Sequence, residues 1–258
     1  MQMIECPSPN YNARPDEGEV GMLIMHTTCM ADTQSALDRL CDPASQVSAH
    51  YVIDEDGQVY RLVDEEHRAW HAGVSFWGGE TDVNGLSVGI EVAHPGPDEN
   101  NNEADFPEIQ MQALIDLSQD ILSRHPIPAH RVLAHSDVAP ARKTDPGSLF
   151  DWRRLAAAGI GFWSDCTAQD LADLSSPDLF HLTPLRPSDK TPKNRQAVEQ
   201  LQQALKAFGY QITPDGDYGL ATQTVMRAFQ LHYRPECIDG VADATCCARL
   251  LDLLSRKQ

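Results

Sequence analysis

Residues 22–26 read MLIMH, four apolar residues followed by a histidine. A short apolar run of this length is typical of a strand buried inside a sheet. Two further stretches have the same apolar character: SVGIEVA at 87–93 and RVLAH at 131–135. The sequence therefore predicts at least three buried strands, two of which end in a histidine.

The segments around these strands alternate between strand and helix patterns. Residues 49–63 (AHYVIDEDGQVYRLV) indicate a hairpin that turns at Glu55-Asp56-Gly57. Asp32 is a candidate N-cap for a helix through residue 41, and the apolar spacing after Pro107 indicates a longer helix. This alternation predicts an α/β fold, a mixed central β-sheet flanked by helices.

A different pattern follows the proline-rich segment TPLRPSDKTPK at 183–193, which is predicted to be a linker. Beyond it lie three short amphipathic segments, and Thr222 is a candidate cap for the second. Two similar loops, PDGDYG at 214–219 and IDGVAD at 238–243, form a weak internal repeat. We predict a catalytic domain over 1–182 and a small three-helix domain over 194–258.

Charge and composition narrow the class of protein. The 258-residue chain has a formal net charge of −18, which argues against nucleic acid as a partner. Residues 186–258 hold 10 Lys and Arg and 8 Asp and Glu, leaving 10 and 30 for residues 1–185. This asymmetry supports two units with separate surfaces. The sequence indicates neither a transmembrane segment nor a signal peptide, and it gives no oligomeric state.

The seven cysteines form no CxxC pair, so a zinc–thiolate site is not expected. Buried free thiols are the simplest interpretation. A bridge between Cys29 and Cys41, or from Cys237 to Cys246 or Cys247, stays open if the protein works outside the cytoplasm.

Three residues could form a metal site. His26 and His135 end predicted strands, and Asp145 follows after a loop interrupted by prolines. Two imidazoles and one carboxylate are the ligand set of a catalytic zinc ion with an open fourth position. Because the chain has 10 histidines, a purely structural role for each histidine stays open at this point.

Two further residues fit hydrolysis at such a metal. Glu91 interrupts the apolar strand 87–93, where it either faces solvent or acts as a half-buried proton acceptor. Lys143 lies two residues before Asp145, where its charge could stabilise an oxyanion.

Several long segments resemble the zinc-dependent N-acetylmuramoyl-L-alanine amidases, in the branch that shares its fold with peptidoglycan recognition proteins. The resemblance covers about residues 8–165 and is carried by four segments: HTT at 26–28, SAHYVIDEDGQVYRLVDEEHRAWHAG at 48–73, NGLSVGIEVAH at 84–94 and AHSDVAPARKTDPGSLFDW at 134–152. It implies Zn²⁺ bound by His26, His135 and Asp145, with Glu91 and Lys143 as catalytic residues. The implied reaction is hydrolysis of the amide between the N-acetylmuramic acid lactyl group and L-alanine.

Four other residues are candidate substrate contacts. Trp70 and His71 lie in an aromatic, glycine-containing loop, and for both a scaffold role is the alternative. Asn84 matches a position that shapes the groove in the resembled family, and Arg142 is a candidate partner for substrate carboxylates.

The C-terminal part, about 194–254, resembles a peptidoglycan-binding domain of three helices, although Thr245 comes one position earlier than that pattern expects. A wall-binding module favours the cell envelope or periplasm as the place of action, with the cytoplasm as the alternative. The competing function is a protein that binds peptidoglycan without cutting it.

Overall fold

The computed structural model describes residues 2–15, 18–97, 104–170, 184–186 and 191–257. The chain divides into two compact units, and neither is continuous in sequence. Unit 1 comprises Met1–Ser75, Asp82–His135 and Asp145–Gly161, and unit 2 comprises Phe76–Thr81, Ser136–Thr144 and Phe162–Gln258. The predicted linker 183–193 lies partly outside the described residues, and the boundaries at 182 and 194 stay predictions.

A six-stranded mixed sheet forms the centre of unit 1, in the order β1-β5-β4-β7-β3-β8. Strands β2 and β6 form a separate antiparallel pair. Only β4 and β5, the predicted hairpin, are antiparallel in the large sheet. The strands among the described residues are β1 Met3–Glu5, β2 Tyr11–Ala13, β3 Met22–Thr27, β4 Tyr51–Ile53, β5 Val59–Arg61, β6 His67–Ala69, β7 Ser87–Val92 and β8 Val132–Ala134.

The predicted helices of this part of the chain are present. Asp32 caps the first of them, because its carboxylate accepts a hydrogen bond from the Ser35 amide at 2.7 Å. The longest buries an apolar face that includes Leu114, Leu117 and Ile121. The helices are α1 Thr33–Cys41, α2 Val83–Leu86, α3 Glu108–Arg124, α4 His135–Val138 and α5 Trp152–Ala157. The mixed sheet flanked by helices is thereby confirmed.

Strand β3 lies between β7 and β8 and is parallel to both. Every residue of β3 is buried, as the apolar run at 22–26 predicts. In this register His26 pairs with Glu91 of β7, and Met25 pairs with Ala134 of β8. The polar residues that end these parallel strands therefore meet at one edge of the sheet, the usual place for a site in such sheets.

Unit 2 contains the three C-terminal helices that the sequence predicts: α6 Pro192–Phe208, α7 Leu220–Tyr233 and α8 Ala244–Arg256. The apolar stripe of α6 is buried, including Leu201 and Leu205. The predicted cap at Thr222 is wrong, because α7 begins two residues earlier with Gly219 as its N-cap. The Thr222 hydroxyl instead donates to the Asp217 carbonyl at 3.0 Å, inside the first turn.

The two similar loops of unit 2 are held in the same way. The side-chain oxygen of buried Gln202 accepts hydrogen bonds from the Asp215 and Gly216 amides, at 2.9 and 2.8 Å. In the second loop, buried Gln230 accepts from the Gly240 amide at 2.7 Å. Both glycines have positive φ, 72° and 75°, which a side chain would disfavour. The internal repeat is therefore a repeat of structure as well as of sequence.

A buried carboxylate lies in unit 2. Asp137 accepts a hydrogen bond from the Tyr210 hydroxyl at 2.5 Å, and its other oxygen lies 2.6 Å from His232 Nδ1. Burial and the nearby Asp137 charge raise the pKa of Tyr210 well above its ordinary value, so the hydroxyl keeps its proton. A carboxylate removed from water depends on such partners for its stability. The segment 136–144 is thus bonded to the C-terminal helices.

Replacing Tyr210 by phenylalanine should lower the free energy of unfolding by about 1–3 kcal/mol, because it leaves a buried carboxylate oxygen with one partner fewer. The ring is retained and can still pack on Trp77, whose ring centroid lies 4.8 Å away. Urea denaturation would measure the change. Tyr11→Phe is the matched control at a position that is 43% exposed, and its effect should stay below about 0.5 kcal/mol. Equal stability of the two variants would contradict the role of the hydroxyl.

Candidate metal centre

Three potential ligand atoms converge at the edge of the sheet. Nδ1 of His26 lies 2.9 Å from Nδ1 of His135. Oδ2 of Asp145 lies 3.0 Å from His135 Nδ1 and 3.3 Å from His26 Nδ1. Two ligands about 2.0–2.1 Å from a tetrahedral zinc ion would lie about 3.3 Å apart, so the spacing fits one divalent cation. The sequence prediction that these three residues come together therefore agrees with the geometry of the described residues.

The two imidazoles of the cluster are almost fully buried, and the cluster is rich in hydrogen-bond acceptor atoms. His26 and His135 are 1% and 3% exposed. His135 Nε2 lies 3.2 Å from the Ala72 carbonyl, which can only accept, so Nε2 carries the proton and Nδ1 keeps its lone pair. That lone pair faces a carboxylate oxygen. Two acceptors at 3.0 Å repel each other unless a cation or a proton lies between them, so the donor set fits a metal ion.

The charge state of Asp145 also fits a metal ligand. Burial by itself would raise the pKa of this carboxyl group, but positive charge and hydrogen bonds from protonated His135 and His26, in the absence of a metal ion, outweigh burial and lower the pKa well below the ordinary value. The group is therefore ionised at neutral pH. An ionised carboxylate and two imidazoles form a donor set that zinc commonly takes in hydrolytic sites.

Glu91 lies beside the first ligand. Its Cα is paired with that of His26 across the parallel β3–β7 ladder, so both side chains project from the same face of the sheet. Ile90 and Val92, its neighbours in β7, are fully buried, whereas Glu91 is half-buried. A half-buried carboxylate next to a metal ligand is suitably placed for proton transfer. Its catalytic role stays a prediction.

Lys143 and Arg142 belong to the segment that joins two of the ligands. The backbone amides of both donate to the Ala139 carbonyl, at 3.1 and 2.9 Å, which closes a turn. The Lys143 side chain is half-buried and that of Arg142 is exposed. Their predicted contacts with an oxyanion and with substrate stay predictions.

The other candidate substrate contacts are hydrogen-bonded within unit 1. Trp70 is half-buried, and its indole N–H donates to Asn12 Oδ1 at 2.7 Å. His71 and Asn84 are only 8% and 5% exposed. Oδ1 of Asn84 accepts from the backbone amides of His71 and Ala72, at 3.1 and 2.7 Å. A contact between any of these side chains and substrate stays a prediction.

Sequence reasoning missed several residues around the cluster. Ser87 Oγ lies 3.1 Å from His71 Nε2, and the Ala72 carbonyl faces His135. Gly89 has no side chain, and a Cβ there would lie 2.5 Å from His71 Cγ. A glycine inside an otherwise apolar strand often marks a close approach by another group. Gly89 was therefore the sequence feature that could have indicated a side chain packed against this strand.

The sequence profile of the Amidase_2 family, N-acetylmuramoyl-L-alanine amidase, matches residues 16–148. A peptidoglycan binding domain profile matches residues 194–250. N-acetylmuramoyl-L-alanine amidase AmiD of Escherichia coli is 37% identical over 235 residues, covering 87% of this chain and 79% of AmiD. The 1,6-anhydro-N-acetylmuramyl-L-alanine amidase AmpD of Citrobacter freundii is 33% identical over 168 residues, covering 58% of this chain and 87% of AmpD.

Two solved structures are similar over nearly the whole chain. The complex of E. coli AmiD with anhydro-N-acetylmuramic acid-L-Ala-D-γ-Glu-L-Lys has a TM-score of 0.78 at 35% identity and covers 95% of this chain and 92% of AmiD. Pseudomonas aeruginosa AmpDh3 in complex with an anhydromuramic pentapeptide has a TM-score of 0.77 at 31% identity and covers 95% of each chain. The similarity thus includes both the sheet and the C-terminal helices.

Asp145→Ala should reduce the zinc bound per chain to near zero, because two imidazoles without the carboxylate leave the site short of a ligand and of its negative charge. Metal analysis after dialysis against zinc-containing buffer would measure it. The control is Asp105→Ala, at an exposed position outside the cluster, and it should bind as much zinc as the unmodified protein. Undiminished zinc in Asp145→Ala would show that the third ligand is another residue.

Proposed function

The chain belongs to the N-acetylmuramoyl-L-alanine amidase family, and we propose that it cleaves the amide bond between the muramic-acid lactyl group and L-alanine with a zinc ion held by His26, His135 and Asp145. The observation that carries this proposal is the convergence of those three ligand atoms beside Glu91. His26 and Glu91 come from adjacent strands of one sheet, where the backbone ladder holds them in register. His135 directly follows β8, and Asp145 comes from the loop after α4.

The substrate class follows from the relatives. The AmiD and AmpDh3 structures that resemble this chain hold anhydromuramyl peptides. We propose that this chain accepts the same class of soluble muropeptide, and also intact peptidoglycan. A requirement for the 1,6-anhydro end is a separate question that a comparison of the two substrates would answer.

The proposed catalytic roles are supported by the pairing of Glu91 with His26 and by the family resemblance. A zinc ion bound by these ligands would lower the pKa of a water molecule and polarise the lactyl carbonyl. Glu91 takes the proton of the attacking water and passes it to the departing amine of L-alanine. Lys143 supplies a positive charge to the developing oxyanion. Burial of the two imidazoles strengthens the charge interactions between the ligands and the cation.

Peptidoglycan recognition without cleavage is the second candidate. A recognition protein has no need for an intact set of metal ligands or for a proton acceptor beside them. This chain keeps His26, His135, Asp145 and Glu91 together in one site, and its relatives are amidases. These observations favour the enzyme.

The C-terminal helices belong to a peptidoglycan-binding domain, and we propose that they retain the enzyme on the cell wall. Unit 2 has a groove of about 840 Å³ whose lining includes Lys206, Asp215 and Leu220. Peptidoglycan stem peptides carry both amines and carboxylates, which this mixed lining could accommodate. Retention on the wall makes the cell envelope the proposed place of action. No helix among the described residues is long and apolar enough to span a bilayer.

Glu91→Gln should retain zinc but lower kcat by about 10²–10⁴-fold, because the amide cannot accept the proton of the attacking water. Release of L-alanine peptides from a soluble anhydromuropeptide would measure turnover. Glu55→Gln, in the exposed hairpin turn, is the control and should behave like the unmodified enzyme. Unchanged turnover in Glu91→Gln would remove Glu91 from the mechanism.

Lys206→Glu should weaken retention on insoluble peptidoglycan by about tenfold, if a cation–carboxylate contact worth about 1.4 kcal/mol is lost. Turnover of a soluble anhydromuropeptide should stay the same. Lys193→Glu makes the same charge change on the same helix, at a position that does not line the groove. Co-sedimentation with sacculi would compare the two variants, and equal retention would count against the groove as the wall-binding surface.

A further inference from the structure

The segment His71–Ala72 contacts both metal-binding histidines. His71 Nδ1 lies 2.9 Å from Nε2 of His26. One residue later, the Ala72 carbonyl accepts from Nε2 of His135 at 3.2 Å. In each case the contact uses the ring nitrogen that does not face the ligand cluster.

A chain of hydrogen bonds determines which nitrogen of each ring carries the proton. The Ser87 hydroxyl donates to the Val83 carbonyl at 2.6 Å, so its oxygen is left to accept from His71 Nε2 at 3.1 Å. Nδ1 of His71 is then an acceptor, and it takes the proton of His26 Nε2. The lone pair of His26 is consequently placed on Nδ1, the atom that faces His135 and Asp145.

Two other residues hold this segment in place. Asn84 Oδ1 accepts from both backbone amides of the segment, at 3.1 and 2.7 Å, so one side chain fixes the positions of His71 and Ala72. Gly89 leaves the space that the His71 ring occupies, since a Cβ there would lie 2.5 Å from His71 Cγ. All of these groups are buried, so water does not compete for their hydrogen bonds.

We propose that His71, the Ala72 carbonyl, Ser87 and Asn84 form a ligand clamp, a set of positioning residues that fixes the tautomer and ring orientation of both metal-binding histidines. The inference rests on the proposed metal-dependent function. Hydrogen-bond partners of this kind raise the basicity of a ligand and restrict its ring. The ligand clamp therefore sets the affinity for zinc, whereas a residue that only touches substrate would change KM.

The variants His71→Asn and His71→Leu test whether His71 affects zinc affinity or only KM. The two replacements have nearly the same shape, but asparagine keeps an acceptor on Cγ, where the imidazole carries Nδ1. His71→Leu should weaken zinc affinity by about 10–100-fold, and His71→Asn by about threefold or less. Competition with a chromophoric zinc chelator would give the dissociation constants without any assay of activity.

The control is His67→Leu, which removes an imidazole that stacks on Tyr11 instead of bonding to a ligand. It should bind zinc like the unmodified protein. If His71→Leu fails to fold, Ser87→Ala provides the second test, because it removes the acceptor for His71 Nε2 and should weaken zinc binding by about 3–10-fold.

Normal zinc affinity in a folded His71→Leu with a raised KM would overturn the ligand clamp and leave a substrate contact in its place. Normal affinity in Ser87→Ala would overturn the role of the serine in fixing the tautomer. If the proposed zinc-dependent function is wrong, the result differs. The unmodified protein would then not bind zinc, or it would hydrolyse the substrate equally well after zinc is removed.

A second inference rests on an independent contact. The Sγ atoms of Cys6 and Cys41 lie 3.6 Å apart, one just after β1 and the other at the end of α1. The Cys41 thiol donates to the Cys6 carbonyl at 3.5 Å, and the Ser8 hydroxyl donates to the Leu40 carbonyl at 2.5 Å. The backbone segments that carry the two thiols are therefore held together without a covalent bond.

We infer that Cys6 and Cys41 form a disulfide when a small disulfide such as oxidised glutathione is the oxidant. One thiolate attacks the glutathione disulfide and releases the first glutathione thiol. The second thiolate then attacks the mixed disulfide, forms the Cys6–Cys41 bond and releases the second glutathione thiol. The protein loses two electrons and two protons in total, and glutathione disulfide takes them up to give two reduced glutathione molecules.

Tryptic digestion under non-reducing conditions would detect this bond in the Cys29→Ser variant. Cleavage after Arg39 separates Cys6 from Cys41, and Cys29→Ser removes the only other cysteine of the first peptide. Oxidation should link the two peptides and raise Tm by about 5–10 °C, because the bond restricts the unfolded chain. The Cys29→Ser/Cys41→Ser variant should show neither change. Glutathione adducts without the linked peptides would overturn the inference.

Discussion

The close approach of three electronegative atoms is the constraint on which the site depends. Nδ1 of His26, Nδ1 of His135 and Oδ2 of Asp145 face one another at 2.9–3.3 Å, and both imidazoles are almost fully buried. Such an arrangement is repulsive until a positive charge lies among its members. The electrostatic repulsion among these atoms destabilises the folded protein without a cation. Binding of a cation removes that repulsion, which increases the affinity of the site for it.

The sheet brings His26 and His135 together, and the loop after α4 adds Asp145. Because β7, β3 and β8 are parallel neighbours, their polar ends lie at one edge, and Glu91 is paired directly with His26. Rigid strands position catalytic groups more accurately than loops do. The chain adds His71, Asn84 and Ser87, which bond to the ligands or to the segment that supports them. In the proposed enzyme, metal affinity and proton transfer depend on different residues around the same centre.

Unit 2 shows why the division into domains is less simple than the order of the chain suggests. Segment 136–144 lies between two candidate metal ligands in sequence, yet its Asp137 is bonded to Tyr210, just after α6, and to His232 of α7. A carboxylate with buried partners is costly to separate from them. The helices that match a peptidoglycan-binding domain thus also stabilise a segment that carries Lys143.

The amino-acid sequence by itself determined the mixed sheet and the three C-terminal helices, because apolar runs are local signals. The family resemblance of its motifs pointed to His26, His135 and Asp145 as candidate ligands. The sequence also singled out Glu91, His71 and Asn84 as unusual residues without saying what they touch. Only the tertiary structure decided that Glu91 pairs with His26, that His71 bonds to that same ligand, and that Asp137 is buried among C-terminal side chains. The physical reason is that strand partners and imidazole tautomers depend on groups tens of residues away, and no local pattern in the chain specifies which distant group arrives.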